Sequence, residues 1–89
     1  MSGKQTNNDD ETLALAALGW TLTEDSRAER FLSLTGLTPE TLRAALDRPE
    51  TLAAALRFLE AHEPDLVACA DALGIGPGDL PEARRRLEA

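Results

Sequence analysis

The sequence predicts an all-α fold: a compact bundle of five to six short helices that divides into two related three-helix units. Three observations carry this. The 89 residues include 16 Leu and 15 Ala against one Val and one Ile, a balance that favours helix formers and starves strands. Helix start and stop signals recur at short intervals from Asp9 onward. Apolar residues repeat at i, i+3, i+4, i+7, as in Leu52, Ala55, Leu56 and Leu59.

The elements follow in order. Residues 1–9 (MSGKQTNND) lack periodicity and read as a disordered polar tail, leaving residues 10–89 as one helical domain. Asp9 or Asp10 caps a first helix running to Leu22. Thr23, followed by Glu24 and Asp25, opens a second, which Gly36 ends because glycine accepts the left-handed conformation without a steric cost. Thr38 and Pro39 open a third helix, to Leu46, as cap and first helical residue. Asp47 with Glu50 forms a capping box for a fourth, to Ala61. Pro64 starts a fifth, closed by Gly74. The sixth is delayed by Gly76, Pro77, Gly78 and Pro81, with Asp79 as its cap and Glu82 as box partner. Trp20, Phe31, Phe58 and the leucines form the expected core around the first and fourth helices.

An internal similarity runs through these elements. Gly36-Leu37-Thr38-Pro39 with Leu42 matches Gly74-Ile75-Gly76-Pro77 with Leu80 at an offset of 38 residues, and Leu18, Trp20 and Asp25 match Leu56, Phe58 and Glu63. Reuse of the same caps and leucines in unrelated short helices is the competing explanation.

Charge and motifs narrow the function classes. The formal charge is −7 and the pI is about 4.5, so the chain as a whole repels polyanions and anionic membranes. The single Cys69 cannot form an internal disulfide, and no export signal or apolar span is evident at the N-terminus, so the expected location is the cytoplasm. Cys69 sits on an apolar stripe and reads as a buried small hydrophobe. His62, between Ala61 and Glu63, lacks converging ligands and reads as a cation at a helix end. Gly74-Ile75-Gly76-Pro77-Gly78 is a turn, because a phosphate loop would follow a strand and use the N–H that Pro77 lacks. Ser26 and Ser33 have no nearby histidine. Neither catalysis, nor a metal, nor a cofactor is expected.

Two readings of binding remain. The first helix is apolar all round, with Leu13, Ala17 and Trp20 on one side and Leu15, Leu18 and Leu22 on nearly the opposite side. Such a helix is either central or covered by another chain. Leu15, Leu18 and Leu22 are therefore the candidate contact residues of a non-catalytic protein-interaction module, with a homodimer as one way to cover them. The alternative is a nucleic-acid-binding, helix-turn-helix-like element over residues 66–87, with Arg84, Arg85 and Arg86 meeting phosphates. Pro81 within its second helix and the acidic balance count against it. A ligand pocket between helices is a third, weaker reading.

Ala17-Leu18-Gly19-Trp20, Arg30-Phe31-Leu32, Thr35-Gly36-Leu37, Pro39 with Leu42-Arg43, Leu56, Phe58-Leu59 and the acidic turn Glu63 to Asp65 together resemble a small bacterial all-helical family catalogued as a domain of unknown function. The resemblance spans Leu13 to Leu80. It implies a compact helical fold and bacterial origin, and it carries no activity, cofactor or catalytic residue. Gly76 to Pro81 departs from it.

Overall fold

Leucine and alanine at helical spacing bury themselves here by crossing short helices over a shared centre. The computed structural model describes the backbone of residues 2–89 and the side chains of residues 9–89. Its helices are α1 (Ser2–Thr21), α2 (Asp25–Thr35), α3 (Pro39–Ala44), α4 (Pro49–Glu60), α5 (Glu63–Leu73) and α6 (Asp79–Glu88). No strand occurs among the described residues. The all-α bundle predicted from composition is what the chain forms.

Helices α1, α4 and α6 pack most closely on one another, α2 and α5 lie against this trio, and α3 touches the rest least. The centre is filled by Ala14, Ala17 and Leu18 of α1, Leu52, Ala55, Leu56 and Leu59 of α4, and Leu80 and Ala83 of α6. Phe31 of α2 meets Phe58 of α4 edge-to-face, with centroids 5.4 Å apart and planes at 84°. Trp20, expected inside, is only half-buried; the Arg27 guanidinium lies over its face, 3.6 Å from the ring centroid.

Four expected caps are displaced: Asp10, Thr23 and Asp47, and Asp79 before α6. Helix α1 starts at Ser2, so the backbone of the expected tail is already helical; Met1 and the side chains of residues 2–8 lie outside the described residues. Asp10 is then an interior helix residue, 3% exposed, with both carboxylate oxygens on Arg86 Nε at 3.0 and 2.9 Å. Thr23 does not cap α2, because its hydroxyl donates to the Trp20 carbonyl at 2.7 Å and accepts from Arg27. Asp47 does not cap α4. Arg48 takes that place in an extended conformation (φ −85°, ψ 131°), as the residue before Pro49 must.

Other signals hold. Thr38 and Thr41 form a reciprocal capping box at the start of α3. Gly36 and Gly74 end α2 and α5 at φ 76° and 72°, the left-handed conformation that lets their N–H groups turn back onto the helix. Asp79 locks the turn before α6 by accepting from the Gly76 N–H at 3.0 Å, a different task from the cap expected of it.

The 38-residue similarity is visible in three dimensions as matched burial. Helices α2 and α5 occupy equivalent segments end to end. Ala14 and Leu52, Ala17 and Ala55, Leu18 and Leu56, Thr21 and Leu59, Phe31 and Cys69, and Leu42 and Leu80 are buried in both members of each pair. The match sets α1–α3 against α4–α6 along the chain, while in space α1 packs chiefly on α4 and α6, and Trp20 is half-buried where its match Phe58 is buried.

Candidate functional site

The two units close in different ways, and the difference creates the most distinctive surface of the molecule. In the second unit, α6 is held down by apolar packing and by ion pairs. Leu80 and Ala83 are fully buried. Arg84 of α6 donates to Glu60 of α4 through Nε at 2.6 Å and Nη2 at 3.1 Å, and to Glu88 at 2.8 Å. Arg57 of α4 donates to Glu88 at 2.8 and 3.0 Å. These partners raise the pKa of the Arg84 guanidinium, through the Glu60 hydrogen bond first, and lower that of the Glu88 carboxyl, through Arg57 first. Arg86 adds its bond to the buried Asp10, which raises its own pKa and ties α6 to α1.

The first unit has none of this around α3. The residues equivalent to Glu60 and Arg84 are Leu22 and Leu46. Where the second unit has a closed ion pair, the first has two half-buried leucines lining an open groove of about 280 Å³ with Ala28, Leu32, Leu42 and Arg43. Leu46 also lines an adjoining groove of about 250 Å³ with Leu15, Leu52, Glu11 and Asp47. An apolar strip therefore runs from Leu15, 47% exposed, past Leu46 to Leu22 and Leu32. Helix α3 is short because the chain must leave it at Ala45 to enter α4, so it cannot cover this strip as the longer α6 covers its own unit.

Charge is arranged asymmetrically as well. Among the described residues Arg43, on the groove, is the one arginine outside the ion pairs, while Arg27, Arg30, Arg48, Arg57, Arg84, Arg85 and Arg86 each meet a carboxylate. Among the described residues, Glu11 and Asp47, which line the adjoining groove, have no such partner. The strip has an apolar floor, with Arg43 on one groove and Glu11 and Asp47 on the other.

The structure separates the three leucines that the sequence put on one contact face. Leu18 is 1% exposed and belongs to the core, which corrects its place among the contact residues. Because α1 packs against α2, α4, α5 and α6, it is buried on more than one side; only Leu15 and Leu22 are left to the surface strip. The arginine run is split too. Arg84 and Arg86 turn back onto α4 and α1, and Arg85 pairs with Glu82 at 3.3 Å.

Arg27 is the side chain that sequence reasoning missed. Its fork donates to the Thr21 carbonyl at 3.1 Å, the Trp20 carbonyl at 2.8 Å, Thr23 Oγ1 at 3.0 Å and Glu24 at 3.1 Å. Both carbonyls lie at the negative end of α1, where the Trp20 carbonyl also accepts from Thr23, so a cation there meets both hydrogen bonding and the helix dipole. The available signal was an arginine one to two turns past a helix end beside Trp20.

The reactive side chains are placed for structure. Burial first, with a smaller contribution from Asp65, pushes the Cys69 thiol up to about 11, and Arg27 opposes the shift. His62 stands at the N-cap of α5, and not as a C-terminal cation of α4; its Nδ1 is 3.8 Å from Asp65. Among the described residues no three His, Cys, Asp or Glu side chains converge as a metal site would require. No described helix is long and apolar enough to cross a membrane.

This architecture defines a class: a six-helix, all-α domain built around α1, α4 and α6. Residues 7–89 match the family model described as Protein of unknown function (DUF3572), and the chain belongs to that family. No curated protein and no solved structure matches it.

Proposed function

We propose that this chain is a non-catalytic protein-interaction module of the bacterial cytoplasm, and that the open strip on α1, α2 and α3 is its contact face. The carrying observation is the replacement of one half's Glu60–Arg84 ion pair by Leu22 and Leu46 in the other. Leu22 and Leu46 pack against the core and are only half-buried by it, so each keeps apolar surface that the ion pair of the other half does not present. A second protein surface gives those leucines a burial they lack in the free chain. The lone buried thiol suits a reducing compartment.

The nucleic-acid alternative draws less support, because the Arg84 and Arg86 guanidiniums it would use on phosphates are engaged by Glu60, Glu88 and Asp10. Site-specific photo-crosslinking tests the module in the native cell. A photoreactive residue at Leu15 is expected to give one discrete protein adduct, and the same residue at the exposed Ala72 of α5 is expected to give none. Equal labelling at both positions, or none at either, contradicts the proposal.

A further inference from the structure

The groove of about 280 Å³ beside α2 and α3 has an apolar lining and a single charge. Leu22, Leu32, Leu42 and Leu46 line it, with Ala28 and Pro39. Arg43 is the one charged residue on the lining, and it is also the arginine that meets no carboxylate among the described residues. Its match in the second half is Pro81, so this cation, like the leucines at 22 and 46, has no counterpart there. Arg43 is exposed, and an arginine so placed lays its aliphatic stem along apolar surface while its guanidinium stays in water. The result is an apolar trough with a cation at its rim.

We infer that this trough binds a free, single-chain aliphatic carboxylic acid, the tail on the leucines and the carboxylate on the Arg43 guanidinium. The inference goes beyond the protein contact proposed above and does not need it. Two observations select the ligand class. The volume lies just below the usual range of small-molecule sites, roughly 300–1,000 Å³, which suits one short aliphatic chain. Every lining side chain except Arg43 lacks a hydrogen-bonding group, so an extended peptide would lose hydrogen bonds of its amides there, whereas an alkyl chain has none to lose.

Charge makes the claim discriminating. At −7 the chain as a whole attracts cations and repels both anions and anionic bilayers. A preference for a carboxylate over an ammonium on the same tail must therefore come from Arg43, the local cation.

The test is a titration of the whole chain, isotope-labelled, with decanoate at neutral pH, below the concentration at which it forms micelles. Decylammonium and decanol serve as controls with the same tail. Decanoate is expected to saturate one site, to shift the amides of Leu22, Ala28, Leu32 and residues 42–46, and to bind about three- to fivefold tighter than decanol and tighter still than decylammonium. Affinity is expected to rise about two- to fourfold per methylene from hexanoate to decanoate. The exposed substitution Arg43→Gln is expected to erase the advantage over decanol while the helical circular-dichroism signal is kept, and Arg43→Lys to retain part of it. Ala28→Leu fills the trough and is expected to weaken every tail at least about tenfold; should it fail to fold, Arg43→Gln decides. Vesicles of phosphatidylglycerol are expected not to bind. Decylammonium binding as tightly as decanoate, shifts centred on α5 or α6, an unchanged preference in Arg43→Gln, no saturable site, or capture by the vesicles in place of the free acid overturns the inference. A discrete adduct at Leu15 without decanoate binding removes the ligand and leaves the protein contact; decanoate binding without the adduct does the reverse.

Discussion

The two halves share a helix plan and differ in how their third helix is held. Helix α6 lies in the centre of the fold, with Leu80 and Ala83 at 0% exposure and arginines clamped to α1 and α4. Helix α3 presents one buried residue, Leu42 at 5%, and leaves Arg43 without an ion-pair partner. The lesson is that similar local sequence fixes helix ends, while the few positions that differ decide whether a face is sealed or offered. Leu22 and Leu46 against Glu60 and Arg84 are such positions.

The contrast can be broken by mutation. The largest effect is expected at the sealed end: Leu80→Ala opens a cavity in the α1–α4–α6 centre and costs about 3–5 kcal/mol. Leu42→Ala, at the lightly held helix, costs about 2 kcal/mol because its surroundings relax into the open groove. Urea unfolding measures both, and an equal or reversed ranking breaks the contrast. Next comes Arg27→Ala, which removes the side-chain donor to the Thr21 carbonyl and one of the donors to the Trp20 carbonyl and costs about 2–3 kcal/mol. Arg27→Lys recovers only part of it, since a single ammonium cannot span the two carbonyls and Glu24.

A smaller effect tests what the halves share. Gly36→Ala and Gly74→Ala each force a methyl group into the left-handed region and cost about 1 kcal/mol apiece. Nothing lies within 4 Å of the added carbon at either site, so the two costs are expected to agree within a few tenths of that figure. Unequal costs would show that the turns are alike in φ only.

The smallest effect is a pH dependence at the C-terminal end of α6. Arg57 and then Arg84 depress the Glu88 carboxyl below its ordinary value near 4.5. A depressed carboxyl contributes stability that is present above its unfolded pKa and lost as pH falls through its folded one. Wild type is therefore expected to be slightly more stable than Glu88→Gln at pH 6, and the gap to close on acidification below about pH 4. A gap that persists in acid removes the ion pairs from the account of how α6 is held.

Much of this was legible in the sequence because it is local. Gly36, Gly74 and Thr38 end or begin helices through bonds to residues within five positions, and the 38-residue match rests on the same signals. What escaped is long-range or competitive. Asp10 reads as a cap because its partner, Arg86, lies 76 residues away. Asp47 lost the start of α4 to the conformational demand of Pro49 on Arg48, a competition that a capping-box pattern does not weigh. The contact strip was half visible: the all-round apolar α1 pointed to Leu15 and Leu22. Helical spacing alone could not tell that Leu18, one turn away, faces inward. The centrality of α6 was hidden by its glycine- and proline-rich approach, which shapes the turn and says nothing of what the helix covers.

Native-state hydrogen exchange reads the central contrast directly, amide by amide, in the unmodified chain. The amides of Ala83 to Leu87 in α6 are expected to open only with global unfolding. Those of Leu42 to Ala45 at the end of α3 are expected to open at a much lower free energy. Equal protection in the two helices, or stronger protection on α3 than on α6, would contradict a molecule whose α6 is sealed into the centre and whose α3 is lightly held.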